Sequence, residues 1–128
     1  MPLQNQSSVG AIAVTSSVLN QRENLTVTVD TETQYLFVDQ LPNLVFWIRQ
    51  TAGTSPAEIT PEFAVRSITG AGAEPELEWL PLANATTLPA NDIPLLLTYT
   101  VPANFIRIKI VATAASHSIE TYIAAFSP

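Results

Sequence analysis

A chain of 128 residues is the length of one ordinary domain and too short for two. It has no cysteine and one histidine, which excludes disulfide frameworks, thiolate metal sites, cysteine nucleophiles and any site built on two histidines. Eleven acidic against five basic residues give a net charge of −6, the wrong sign for a binder of phosphate backbones.

Residues 1–8 are uncharged and mostly polar, without the basic-then-apolar layout of a signal peptide, and read as an extended arm ahead of one domain over residues 9–128. From there the dominant pattern is alternation with period 2, the mark of half-buried strands. A weak candidate runs from Val9 to Leu19. Leu25, Val27 and Val29 then alternate with Thr26, Thr28 and Asp30, and Tyr35 to Gln40 is a second weak candidate. Leu44, Phe46 and Ile48 alternate with Val45, Trp47 and Arg49; with both faces largely apolar, this strand is predicted to be central. Phe63 to Thr69 and Glu76 to Leu80 are further weak candidates. Pro61 to Arg66 has the length of one helical turn, but its β-branched and aromatic residues favour a strand. Leu95, Leu97, Tyr99 and Val101 mark another strand. Ile106, Ile108 and Ile110, alternating with Arg107 and Lys109, mark the cleanest one, and Ile119, Thr121 and Ile123 mark the last.

Pro42, Pro56, Pro61, Pro75, Pro81, Pro89, Pro94 and Pro102 lie between the apolar runs, where strands are expected to stop because proline lacks the ladder donor. No segment shows a helical stripe, and no apolar run approaches the ~20 residues of a membrane helix. Eight or nine short strands predict an all-β, two-sheet antiparallel β-sandwich, jelly-roll or immunoglobulin-like. Charged residues make up 12% of the chain, about half the ~25% usual in soluble domains. Threonine, fifteen times, with serine, asparagine and glutamine, supplies polarity instead. So little charge predicts a subunit that hides part of its surface in an assembly; the alternative is a monomer with a Thr/Ser-rich β surface.

Few residues invite chemistry. Glu76 and Glu78 would share one strand face, close enough for a hard cation, but nothing nearby supplies the remaining oxygens. The run from Glu74 reads instead as a solvated face that discourages edge pairing. His117, between Ser116 and Ser118, reads as a surface histidine in a turn. A hydrolase would need a carboxylate beside it, and none is near in sequence. Trp47, Trp79, Tyr35, Tyr99 and Tyr122 pose a choice between sheet packing and a sugar platform. The sugar reading requires a tryptophan exposed beside polar groups in a shallow groove. Arg49, Arg66, Arg107 and Lys109 are scattered, although Arg107 and Lys109 share a face that would suit an acidic partner. The Asn-x-Ser/Thr triplets at Asn5, Asn24 and Asn84 are chance matches in so Thr-rich a chain. No catalytic residue, cofactor or metal site is expected.

The last fifty or so residues carry a further pattern. Glu78-Trp79-Leu80-Pro81-Leu82 leads into a Thr-rich turn over Ala85 to Leu88 and a strand. There follow V-P-A-N-F-I-R-I-K-I-V-A-T-A-A-S from Val101 and S-I-E-T-Y-I-A-A from Ser118. This layout resembles small accessory virion proteins of tailed bacteriophages, of the capsid decoration or cement type. Those proteins often carry Asp-Gly before the Trp strand, where Glu74-Pro75 stands here. The resemblance implies a terminal β-hairpin whose isoleucines, from Ile106 to Ile123, fill one sandwich face. It implies a non-enzymatic protein on the outer capsid surface, made in the bacterial cytoplasm, partnered by the major capsid protein or other virion proteins, with no nucleic acid and no membrane. A homo-oligomer is expected, a trimer by analogy with icosahedral lattices. Pro2, Leu3 and Phe126 are the expected assembly contacts. The alternative is a glycan-binding β-sandwich module or a tail or head-fibre component.

Overall fold

The computed structural model describes residues 18–38, 41–66 and 77–127. The arm over residues 1–8, most of the candidate strand from Val9, and Glu74 and Glu76 lie outside them. The described chain is all-β, with ten strands: β1 (Val18–Val27), β2 (Thr31–Glu32), β3 (Leu36–Phe37), β4 (Asn43–Ala52), β5 (Glu58–Arg66), β6 (Leu77–Pro81), β7 (Thr86–Thr87), β8 (Leu95–Thr100), β9 (Phe105–Val111) and β10 (His117–Phe126). They form two antiparallel sheets. The first has the order β1–β10–β4–β8; the second has the order β2–β9–β5–β6, with β3 also paired to β9 and β7 to β5. β2 and β3 are thus two pieces of one edge ribbon, and β6 and β7 two pieces of the other. Ten strands occupy eight positions, which is why the count exceeds the eight or nine read from periodicity.

Numbered by position, the sheets read 1-8-3-6 and 2-7-4-5. Among the described residues, the first two positions lie in different sheets. β4 is central, as its apolar faces predict. The terminal pair corrects an expectation: β9 and β10 are not a hairpin but belong to opposite sheets. Ile106, Ile108 and Ile110 therefore face Ile119 and Ile123 across the core, where all five are at most 1% exposed. Ile48, Ile59, Leu44 and Phe46 complete the same layer. Each such side chain contributes about 1.5–3 kcal/mol by leaving water.

Pro61 corrects a second expectation, because it lies inside β5 rather than between strands. Its carbonyl accepts from Leu82 N (2.8 Å), so its donor-less nitrogen faces the same side, where β6 has ended and β7 has not begun. The proline and the interruption in the edge ribbon coincide. The other broken ribbon is bridged by Thr33, which is 5% exposed. Its amide donates to Ile108 O (2.9 Å), and its hydroxyl accepts from Ile108 N (3.0 Å) in place of a strand carbonyl. Thr33→Val keeps the shape but strands the Ile108 donor in the core. It is expected to cost about 1–3 kcal/mol in urea unfolding, while Thr33→Ser retains most of the stability.

Candidate functional site

One end of the sandwich gathers the connections that follow β1, β4, β7 and β9, and a buried polar cluster ties them together. Alternation along β4 sends Leu44, Phe46 and Ile48 inward, and Gln50, 1% exposed, continues the same register. Its Nε2 donates to Ser55 O (3.0 Å) and Asn91 Oδ1 (2.9 Å). Its Oε1 accepts from Ala57 N (3.0 Å) and meets His117 Nδ1 at 3.0 Å. Both lone pairs and both protons of the amide are used. Thr113 and Ser55 extend the cluster, with Thr113 Oγ1 donating to Pro56 O (2.7 Å) and Ser55 Oγ donating to Thr113 O (2.9 Å). Asp30, from the connection after β1, accepts from Ala112 N (3.1 Å).

His117 overturns its reading as a surface turn residue. It begins β10 and is fully buried. Its Nε2 accepts from Thr113 N (3.0 Å) and Ala114 N (3.2 Å), which requires a lone pair there and places the ring proton on Nδ1, toward Gln50. An amide, not a carboxylate, orients this imidazole, and its far nitrogen is occupied by the backbone. The arrangement braces a turn and has no acceptor free for a substrate proton. Sequence held the signal: counting back by twos from Ile123 through Ile119 reaches His117, on the inward face. Gln50 was legible in the same way. Asn91 and Gly53 were not, since their roles depend on loops meeting from distant parts of the chain. Gly53, at φ +151°, offers a Cβ position only 2.6 Å from Gln50 Nε2.

The aromatic residues divide among three environments. Tyr99 points inward from β8 against Phe46 (centroids 5.9 Å), and burial pushes its phenol above the ordinary value of 10.0. Trp79 and Tyr35 lie on the outer face of the second sheet, 6.1 Å apart, with Tyr35 edge-on to Phe105 at 5.3 Å. There the Arg107 guanidinium sits 4.1 Å over the Trp79 ring and bonds Glu62, directly opposite on β5, at 2.7 Å. Arg107 and Lys109 do share the outward face, but this ion pair already engages Arg107. Trp47 and Tyr122 lie on the outer face of the first sheet, in one cross-strand row with Arg22 and Leu96. Neither tryptophan is inside the sandwich; both are half-buried on its outer faces.

That first face is hollowed. One depression of about 420 Å³ is lined by Arg22, Asn24, Trp47, Arg49 and Glu120 among others. A second, of about 310 Å³, shares Arg22 and Trp47 and reaches Leu96. A third shares Asn24 and Glu120 and runs toward Thr26, Thr51 and Ser118. Arg49 donates to Glu120 through Nε (3.0 Å) and Nη2 (2.6 Å), and Arg22 lies 4.6 Å over Tyr122. Of the expected assembly contacts, Pro2 and Leu3 lie outside the described residues; Phe126 ends β10 at 37% exposure. Glu78 is exposed on the edge strand β6, and no cluster of three metal-ligating side chains occurs among the described residues. Asn24 and Asn84 are both exposed.

Two outcomes test the buried cluster. Gln50→Leu leaves the Ala57 amide and the His117 Nδ1 proton buried without acceptors, and at about 1–3 kcal/mol each the expected loss of stability is about 2–6 kcal/mol by chemical denaturation. Nitrogen-15 spectra of the imidazole are expected to show the Nδ1–H tautomer. Finding the Nε2–H form would refute the assigned hydrogen bonds.

No protein-family model matches the chain, and no curated protein sequence does. Among solved structures it is similar to the SPBc2 prophage-derived protein YomS, with 13% identity over 89% of this chain and 99% of that one and a TM-score of 0.46. A chain from the disulfide-linked pili of Bacillus endospore appendages is 14% identical over 95% and 100%, at 0.44. A chain of the cyanophage Pam1 capsid asymmetric unit is 20% identical over the whole of both, at 0.36.

Proposed function

We propose that this chain is a non-enzymatic virion structural protein, a capsid decoration or cement subunit that stabilises a phage head by bridging capsomers as a homo-oligomer. The observation that carries the reading is an apolar end on the first sheet. Leu19 and Phe126 are each 37% exposed at this end, on opposite faces of the sheet: Phe126 stands opposite Val18 in the outward register, and Leu19 stands opposite the buried Ala125. β1 begins at this same end, with Val18 opposite Phe126. Large apolar side chains exposed in a chain so poor in charge favour contact with another protein. The strand order 1-8-3-6 against 2-7-4-5 supports reading the sandwich as a jelly roll, an architecture used by viral capsid and lectin domains.

Bridging needs no catalytic group. Each subunit adds buried area across a seam, with a gross hydrophobic term of about 25 cal/mol per Å², much of it offset by association costs. Many copies on one shell then act together. Light scattering of the full chain at micromolar concentration is expected to give a closed oligomer, with three copies as the expectation. Deleting residues 1–8, or Phe126→Asp, is expected to lower that mass while leaving the unfolding midpoint nearly unchanged. A monomeric full-length chain, or an oligomer indifferent to both changes, would overturn the reading.

A further inference from the structure

We propose that the outer face of β1–β10–β4–β8 is a binding site for a neutral saccharide chain, centred on Trp47. Its Trp47–Tyr122 row lies four residues along β10 from Phe126, with a further hollow that shares Val45 reaching that end, and the site stands whether or not the assembly reading holds. Three adjoining hollows form a continuous trough, each sharing residues with the next. From Ser118 to Tyr122 along β10 it runs about 14 Å, and from β1 to β8 it spans about 14 Å. That is room for several linked rings rather than one small molecule.

The lining selects the ligand class. Trp47 gives apolar ring surface in the middle, the complement of the C–H face of a sugar, beside the Tyr122 ring, which lies under Arg22 at 4.6 Å. Around them stand Asn24, Thr26, Thr51 and Ser118, hydroxyl and amide groups that hydrogen-bond without charge. Of the ionised groups on this face, Arg49 is paired with Glu120 and Arg22 is stacked over Tyr122, so a single unmatched cation is too little charge to select a polyanion. An extended peptide is disfavoured for another reason. β10 and β4 are paired on both sides, leaving their backbone groups committed to the sheet, so a peptide on this face finds no ladder to join. A polyhydroxylated, uncharged chain fits all three features. Glu120 is well placed to accept hydroxyl protons, because Arg49 engages only its Oε1 and leaves Oε2 without a partner in that pair.

The test titrates the full-length chain with cellohexaose, maltohexaose and chitohexaose at millimolar concentration, following the two tryptophan indole N–H signals by NMR. At least one sugar is expected to move the Trp47 signal and leave that of Trp79 in place. Trp47→Ala is expected to weaken binding about tenfold or more, and Trp79→Ala to leave it unchanged. Asn24→Ala, at an exposed position, is expected to leave the unfolding midpoint in place and to weaken binding several-fold. The proposal fails if no sugar moves the Trp47 signal, if the response is confined to Trp79, or if neither Trp47→Ala nor Asn24→Ala weakens binding. It also fails if Trp47→Ala lowers the native mass, which would assign the face to a second copy of the chain.

Discussion

The sandwich depends on a buried amide. A chain that crosses between sheets at almost every connection must turn repeatedly at its ends, and each turn leaves backbone groups without a strand partner. At one end, three of these connections settle their polar groups on Gln50: Ser55 and Ala57 after β4, Asn91 after β7, and His117 where the chain enters β10. The backbone of the same residue accepts from Asp92 N at 2.7 Å. Asp92 adopts φ 71° to make that turn. Because every donor and acceptor of the amide is used, the cluster avoids the penalty of a half-satisfied buried network. It also explains Gly53, where any Cβ would press on Gln50 and on the imidazole.

With its strand ends fastened in this way, the sandwich presents two outer faces that differ in how their tryptophans are covered. On the second sheet, Trp79 lies under Arg107, whose pair with Glu62 is largely buried, with side-chain exposures of 21% and 11%. On the first sheet, Arg49 is farther from Trp47, at 5.5 Å, and its pair with Glu120 is 36% exposed on each side. An ion pair that open contributes about 0–1 kcal/mol, so a ligand can rearrange it at small cost. Arginine thus lies closer over Trp79 than over Trp47.

Much of this was legible in the sequence, because period-2 alternation depends only on which side chains leave water. The centrality of β4, the isoleucines of β9 and β10 and the all-β class all follow from that rule. Strand partners do not follow, since alternation says which face is buried but not which sheet the strand joins. Hence the apparent hairpin of β9 and β10 proved to be two strands facing each other across the core. Pro61 shows the same limit from the opposite side. Proline is excluded from a strand only where a neighbour needs its missing donor, and the gap between β6 and β7 removes that need. His117 was misread for a different reason: its neighbours Ser116 and Ser118 describe a turn, while its register describes a core position, and register prevailed because Gln50 satisfied the ring.

The proposed site was legible only in part. Trp47 stands out in the sequence, but its row with Arg22, Tyr122 and Leu96 draws on residues up to a hundred positions apart. Pairing alone sets that row, and pairing also separates it from the Leu19–Phe126 end by the length of several residues along β10. The separation matters for function. An apolar end used for assembly is covered once the subunit docks, whereas a polar-rimmed trough near the middle of the same sheet keeps its ring surface in water. One sheet can therefore hold a subunit in place at its end and still offer an aromatic platform beside it. A charge-poor composition would suit both proposed uses, because neither a bridged seam nor a neutral sugar gains from fixed charge.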